Sequence, residues 1–528
     1  MNYRTTTARL IASTALASVS STAWAVDPTE ARRNDHEAVE PSPPPPTSGF
    51  SFLGVTQMRT VLTNVVTTNP LLDGQIVGQL GGTNSTTTRG PNGGGEGEGG
   101  PLAWYSEQRV NGFFSYRPPV VDGRIGLTAA FEVDFGFGDD SYGNRGNAGG
   151  GFGADQVNLQ TRRLHLDVRA LDKPRHTIDV RLGLQFVSDG VRDPATARRD
   201  DLFRTGGGLR FFGSEASGVT VFGTVRGDAG VRARYKVGAY TLWEFRAGEV
   251  DDVTLFQADA ELNPGWSTRV GVHGWYLNDS SGGATGNLGR GPTSQLSELQ
   301  GGPKLAFTDG EGGPAAEVNA DVGWVGVDGG LNHDLGKGRL GLNGALFANL
   351  GRITVPQRGW VAIGGLMANA ELRYRYAPGR GSVIRVEGLF TSADNPATDS
   401  YDGVLTANSW GVVGAVYGSH GTYLLFPDIT AINRQSAVVY DVSNAGSGLI
   451  GVNGGVAWDA IPNRLNLAVT GAVASDARRE LVGSEVNLRV EGEPLPFLKL
   501  GLTGALAFTP RVPVAPFALF ADLEWVAF

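Results

Sequence analysis

Between Arg124 and Phe137 apolar and polar residues alternate one by one: Ile125, Leu127, Ala129, Phe131, Val133, Phe135 and Phe137 against Arg124, Gly126, Thr128, Glu132 and Asp134. Successive side chains of a β-strand point to opposite faces, so this period of two predicts a long strand with one greasy and one charged face. The split recurs at Leu164, Leu166 and Val168 against Arg163, His165, Asp167 and Arg169. It returns at Ile178, Val180, Leu182, Leu184 and Phe186 against Asp179, Arg181 and Gln185, and at Leu366, Ala368, Ala370, Leu372, Tyr374 and Tyr376 against Asn369, Glu371, Arg373 and Arg375. A soluble sandwich also alternates, but seldom needs strands this long. The pattern therefore predicts an all-β fold, a transmembrane antiparallel β-barrel whose apolar faces meet lipid.

Connection lengths support the same architecture, because barrels of the outer-membrane type pair short turns on one side with long loops on the other. Short links with Pro, Gly, Asn or Asp fall at Pro118 to Gly123, Asp172 to Arg175, Asn263-Pro264-Gly265, Asn332 to Lys337, Ala377 to Gly381, Ile461 to Arg464 and Glu493 to Pro496. Between them lie polar or Gly-rich stretches near residues 68–106, 139–155, 189–206, 279–316 and 393–447. With a first strand near Phe50 to Val65 and a last at Val514 to Phe528, about eighteen strands are expected, and sixteen or twenty are the alternatives. Up-down parity fails if both Leu209 to Gly213 and Val219 to Val225 cross the membrane, so Leu209 to Gly213 is assigned to an outer loop.

The start of the chain reads differently. Arg4 and Arg9 precede an Ala/Ser-rich apolar run that ends in Ala23-Trp24-Ala25, the form of a cleavable secretory signal over residues 1–25. Removing it takes away two positive charges and moves the net charge from −9 to −11. An acidic balance of this kind argues against nucleic acid as a partner. Residues 26–49 carry Pro41-Ser42-Pro43-Pro44-Pro45-Pro46, which joins neither helix nor ladder and predicts an extended, disordered linker, with docking to a periplasmic partner as the other reading. Glycine accounts for 79 of 528 residues and cysteine for none, so turns are plentiful and no disulfide holds the fold. The remaining residues, 50–528, are expected to form one barrel.

Little in the sequence announces catalysis. His36, His165, His176, His273, His333 and His420 show no H-x-x-x-H or H-E-x-x-H spacing, so no metal site is predicted. Asn332-His333-Asp334 puts an acid beside a histidine, but neighbours on a strand point opposite ways and the segment reads as a turn. The runs Gly93 to Gly100 and Gly149 to Gly153 lack the lysine and the strand–helix context of a phosphate loop. No C-x-x-C-H motif exists to attach haem. No cofactor is expected, and enzymatic function is not.

The polar phases of the strands carry the candidate functional residues. They are Arg163, His165, Asp167, Arg169, Asp179, Arg181, Arg232, Arg234, Lys236, Glu371, Arg373, Arg375, Arg385, Glu387, Arg489 and Glu491. The planar guanidinium fork binds carboxylates through two N–H groups, so a wall of this kind suits acidic sugars or other anions. The competing reading is a mesh of structural ion pairs. Only five of the 44 basic residues are lysine, throughout the chain, so the arginine excess is not peculiar to this wall.

Two resemblances add to this reading. Phe517 to Phe528, with Trp525 and the terminal Phe528 as its assembly signal, resembles the carboxy-terminal sorting strand that the barrel-assembly machinery reads, although Phe528 falls in the phase of Asp522 and Glu524. A bulge or frayed end would account for that. Arg181-Leu182-Gly183-Leu184-Gln185 followed by Asp189-Gly190, Ala348-Asn349-Leu350-Gly351, and Phe390-Thr391-Ser392-Ala393-Asp394-Asn395 resemble the alginate-export type of outer-membrane porin, and more loosely carboxylate- or phosphate-selective porins. Leu184 stands where that family usually carries an arginine. The resemblance implies a monomeric barrel of about eighteen strands with an arginine-lined pore, set among outer-membrane lipid and lipopolysaccharide. Passive diffusion of polar and anionic solutes is then the expected activity, with the loops 279–316 and 393–447 constricting the lumen. A structural or adhesive barrel with a plugged lumen, and a lipid-modifying barrel enzyme, are the alternatives.

Overall fold

The structure is a computed structural model that describes the barrel strands between Gly49 and Ala527, most of their short turns, and parts of one long connection, residues 392–405 and portions of 421–448. Residues 1–48, which hold the predicted signal and all of the predicted linker except Gly49, residues 138–153, 192–212, 244–251, 281–318 and 406–420, most of 65–102, several turn residues, His333, Asp334 and Phe528 lie outside the described residues.

Eighteen strands form one closed antiparallel sheet. In chain order they are β1 (Gly49–Thr63), β2 (Ala103–Arg117), β3 (Ile125–Phe137), β4 (Ala154–Lys173), β5 (His176–Ser188), β6 (Gly213–Arg226), β7 (Arg232–Trp243), β8 (Val253–Gly265) and β9 (Thr268–Asp279). The second half comprises β10 (Asn319–Leu331), β11 (Leu340–Val355), β12 (Gly359–Arg375), β13 (Val383–Thr391), β14 (Leu449–Ile461), β15 (Leu465–Ser475), β16 (Leu481–Leu495), β17 (Leu498–Phe508) and β18 (Phe517–Ala527). Each strand pairs with its sequence neighbours, and β18 closes on β1 from Gly54 opposite Ala527 to Thr63 opposite Ala518. Closure leaves no exposed edge, the condition for a sheet to cross a bilayer.

The alternation sorts residues as the physics of a lipid-facing wall demands. Leu346, Leu350, Val325, Val327, Leu488, Leu502 and Leu519 are exposed on the outer surface, while Glu107, Asp134, Glu371 and Glu387 on the other phase are almost wholly buried. Apolar side chains outside and charges inside invert an ordinary globule, and lipid supplies the apolar medium that a core would otherwise provide.

Where boundaries differ from the sequence reading, local geometry explains it. Gly213, assigned to a loop, opens β6 opposite Ser188, and the parity holds because β6 is one crossing. Asn263-Pro264-Gly265 finishes β8 instead of turning, with a register shift between Thr268 and Val270 on β9. Glu493 to Leu495 likewise belongs to β16. Tyr376 falls just past the end of β12, and β2 and β4 begin inside the stretches read as loops. Gly227 to Val231 forms a short link that composition did not flag, a single 3-10 turn at Asp228–Gly230. In β18 the pairing is continuous on both sides through its described length, so no bulge precedes Ala527.

Candidate functional site

The interior wall is a set of local charge clusters joined across neighbouring strands. On β4 and β5, Asp167 faces Arg181 and Arg169 faces Asp179 in register, with contacts of 2.8 and 2.9 Å. His165 Nε2 lies 3.5 Å from Asp167, and the Arg163 guanidinium sits over the Phe113 ring at 5.8 Å. On β7 to β10, Arg234 meets Glu261 at 3.4 Å, and His273 bridges two carboxylates, Asp259 at 2.7 Å and Asp328 at 3.1 Å. Trp275 Nε1 donates to the same Asp259, and Arg269 holds Asp328 at 2.9 Å. Arg232 lies on the same inward phase of β7.

On β12 and β13 the charges are layered by sign. Glu371 stands directly opposite Glu387, and one step along Arg373 stands directly opposite Arg385. Like charges opposed across a ladder repel. The rows offset each other: Arg373 bonds the Glu371 carboxylate on its own strand, and the Asn369 and Asn453 amides donate to Glu387 at 2.9 and 3.2 Å. Arg375 donates to the Leu335 carbonyl of a turn at 3.0 Å.

The long connection after β13 folds into the barrel. Tyr401, Val404, Leu405, Leu424, Leu425 and Phe426 are buried against inward residues such as Trp324, Phe347 and Met367. Specific bonds hold it from several sides. Trp324 Nε1 donates to the Leu405 carbonyl, and the Leu405 N–H donates to Asn349 Oδ1. Arg59 reaches Asp428 of the loop and its in-register neighbour Asp522 on β18, each at 2.5 Å. Arg109, clamped by Asp134 at 2.8 Å and Glu132 at 3.3 Å, also donates to the Ile432 carbonyl. The Glu485 carboxylate accepts from the N–H groups of Tyr423, Leu424 and Leu425. The carbonyl of Gly421 accepts from Thr470 Oγ1 at 2.6 Å and Asn487 Nδ2 at 2.8 Å. Ser436–Ala437 of this loop also pairs in parallel with Gly78–Gln79 of the connection after β1.

Between the loop and β1, β16, β17 and β18 a pocket of about 120 Å³ remains. Arg59, Arg489 and Lys499 face it, with Glu491, Asp522 and Glu524 beside them and Tyr423 above. Arg489 Nε is buried and has no hydrogen-bond partner among the described residues. A buried, unpartnered guanidinium N–H is costly and is available to an incoming acceptor.

Sequence reasoning placed the residues of β4, β5, β12, β13 and β16 on the inward phase, where the structure has them, but it did not single out Arg59, Arg109, Glu485 or the Asp259–His273–Asp328 cluster. On β1 the inward phase carries Val55 and Val61 and the outward phase Thr56 and Thr60, so polarity alternates the wrong way around Arg59. Arg109 does alternate with Val110, Gly112 and Phe114, a signal that could have found it. Among the described residues no cluster of His, Asp or Glu is arranged to hold a metal ion.

A closed sheet of eighteen strands with an apolar outer belt and a charged interior defines the chain as a transmembrane β-barrel of the bacterial outer membrane. No protein-family model matches the chain, and no curated protein does. Solved structures of outer-membrane porins are similar to it along nearly their whole length. Acinetobacter baumannii OccAB4 is 9% identical with a TM-score of 0.44, covering 92% of this chain and 99% of its own. Pseudomonas aeruginosa OccK2 (OpdF) is 10% identical with a TM-score of 0.46, covering 90% and 97%. Pseudomonas aeruginosa OpdK, solved with vanillate, is 12% identical with a TM-score of 0.43, covering 91% and 100%.

Proposed function

We propose that the chain is a passive diffusion channel for small polar solutes, with anions favoured, in which the loop after β13 sets the size limit and the adjoining wall sets the charge preference. The observation that carries this reading is the pocket beneath Gly421 to Tyr423, where the unpartnered Arg489 Nε meets Arg59 and Lys499. Carboxylates share this pocket, so a passing anion would exchange one set of charge-assisted bonds for another rather than bind tightly, as conduction requires. The same arrangement is compatible with acidic sugars, the class implied by the alginate-export resemblance. The interior residues Arg163, His165, Asp167, Arg169, Asp179, Arg181, Arg232, Arg234, Glu371, Arg373, Arg375, Arg385, Glu387, Arg489 and Glu491 belong to this proposal as the lining of the path. So do export by cleavage after Ala25, a flexible linker to Gly49, assembly through the strand ending in Trp525 and Phe528, and surroundings of lipopolysaccharide. No enzymatic role is proposed.

Recordings of the purified protein in planar bilayers test the reading. Discrete current steps with a reversal potential favouring chloride over potassium are expected, and Arg489→Gln is expected to shift that potential toward zero. Absence of steps would remove conduction, and an unchanged potential in the variant would remove Arg489 from the path. One observation favours the second reading, a plugged structural barrel: Trp324, Phe347, Met367, Tyr401 and Leu405 are buried in one apolar cluster between loop and wall. Swelling of vesicles in neutral sugars separates the two, since a plugged barrel gives none.

A further inference from the structure

Along the wall, arginines are paired: Arg59, Arg109, Arg169, Arg181 and Arg269 each hold a carboxylate at 2.5 to 2.9 Å. At the inner ends of the strands the pairing stops. Arg124, Arg226, Lys337, Arg339 and Arg464 are exposed there and their side chains meet no carboxylate, while Arg117 donates to the Gly123 carbonyl at 3.0 Å. The five arginines continue the inward phases of their strands, and the backbone ladder runs on through Arg124, Arg339 and Arg464, whose carbonyls accept from Arg169, Arg375 and Glu493. They therefore ring the mouth of the lumen rather than meeting lipid headgroups. Arg226 stands in register opposite Arg232, a repulsive arrangement that an anion placed between them relieves.

Carboxylates at this end do not balance them. Asp228 pairs with Arg175 at 2.8 Å, Asp172 lies 3.9 Å from Arg169, and Asp459 and Glu493 accept from the N–H groups of Gly381 and Phe497. Asp122 alone among the described residues is exposed here without such a partner. The outer end lacks the excess: its turn after β15 sets Arg478 and Arg479 between Asp476 and Glu480, and residues 392–405 hold Asp394, Asp399 and Asp402 with no lysine or arginine. A concentrated cationic ring of this kind calls for an anionic occupant.

We infer that the occupant is the chain's own amino-terminal segment: the acidic run Asp35 to Glu40 lies back over the inner mouth, covering the channel from the periplasmic side. Gly49, where residues 26–48 join the barrel, stands opposite Arg117 in register, so the segment begins at the ring. It carries Asp27, Glu30, Asp35, Glu37 and Glu40 against Arg32 and Arg33, and the two arginines lie on the far side of the acidic run from Gly49. An extended proline-rich chain rises about 3.1 Å per residue, so the nine residues from Glu40 to Gly49 reach up to about 28 Å. Eighteen tilted strands about 4.8 Å apart enclose a mouth roughly 35 Å across, so the acids reach its centre and far wall. A dissolved anion competes at its own concentration, whereas a tethered one is held on the order of millimolar and brings several charges at once. Each exposed pair is weak, so the cover is reversible and yields to passing anions or salt.

The chain contains no cysteine, so two introduced thiols report on each other. The purified protein carrying Val39→Cys and Pro462→Cys, the latter on the exposed turn beside Arg464, is treated at low salt with a short thiol-specific cross-linker, its barrel verified by heat-modifiability. An internally linked single chain is expected. Adding Asp35→Asn, Glu37→Gln and Glu40→Gln, which lie outside the barrel, is expected to lower the yield about tenfold through loss of three exposed ion pairs. Salt at 1 M, where the screening length falls to about 3 Å, is expected to do the same. Val39→Cys with Arg478→Cys on the outer turn is expected to give no internal link. No link at Pro462→Cys, a yield indifferent to both the charge changes and salt, an equal yield with Arg478→Cys, or a link between two chains would each overturn the inference. The readout needs no current, so its failure is distinct from a failure of the conduction test.

Discussion

Glu485 of β16 and Leu424 of the inward loop are joined directly: the Leu424 N–H donates to Glu485 Oε2 at 3.0 Å, and the N–H groups on either side of it reach the same carboxylate. One wall residue thus satisfies three consecutive donors of a segment that carries no regular structure there. A buried donor left without a partner costs about 1–3 kcal/mol. Glu485→Ala is therefore expected to release residues 423–425 from the wall, lowering thermal stability and raising single-channel conductance. Unchanged conductance with a lowered melting temperature would mean that this loop does not limit the path.

Arg59 makes the second attachment, and its removal has a different signature. Its guanidinium spans Asp428 of the loop and Asp522 of β18, so Arg59→Ala removes both ion pairs at once. Breaking a buried pair from one side costs about 3–5 kcal/mol, and the lower end applies because Asp522 is about a third exposed. Arg59→Lys, a point charge without the fork, is expected to recover part of that loss. Thermal melting of the three proteins in detergent ranks them, and equal melting temperatures would show that neither ion pair contributes.

Gly421 tests the shape of the loop rather than its bonds. Its φ of +77° lies in the left-handed region, and an added Cβ would come within 3.1 Å of both Arg385 Nη2 and Thr470 Cγ2. The conformational cost of an L-residue there is about 1–2 kcal/mol. Gly421→Ala is expected to displace the carbonyl that Thr470 and Asn487 hold, with a melting temperature between those of the wild type and Glu485→Ala. A variant as stable as the wild type would contradict the backbone conformation at this position.

The lipid-facing assignment is tested on the outside. Val325 is exposed on the outward row of β10, between the outer and inner ends of the strand. An arginine at the bilayer midplane of a barrel wall costs about 2–4 kcal/mol. Val325→Arg is expected to lower unfolding stability in lipid vesicles by that amount while leaving conductance unchanged. A loss of conductance with normal stability would mean that this row faces the lumen.

The barrel was legible before any coordinates because its cause is local. A period of two tells a strand which side is greasy wherever one face is lipid and the other polar, and β5 shows the split throughout its middle length, as β3 does apart from the inward Ala130, whereas β4 carries a register shift at Arg162 and β12 turns Met367 inward. Tight-turn residues and long Gly-rich stretches then set the number of crossings near eighteen. Where an element was misplaced, as at Asn263 to Gly265, a residue suited to turns had been carried into a strand end by its neighbour's ladder.

What the sequence determined by itself is therefore the orientation of the wall residues on the strands that alternate cleanly, together with the barrel architecture that follows from it, while β1, where polarity alternates the wrong way, was left to the structure. Which inward residues meet was decided only by the tertiary structure. Arg59 and Asp428 are 369 positions apart and Arg109 and Ile432 are 323 apart, and no local pattern reports a contact that exists only because the sheet closes and a loop falls back through it.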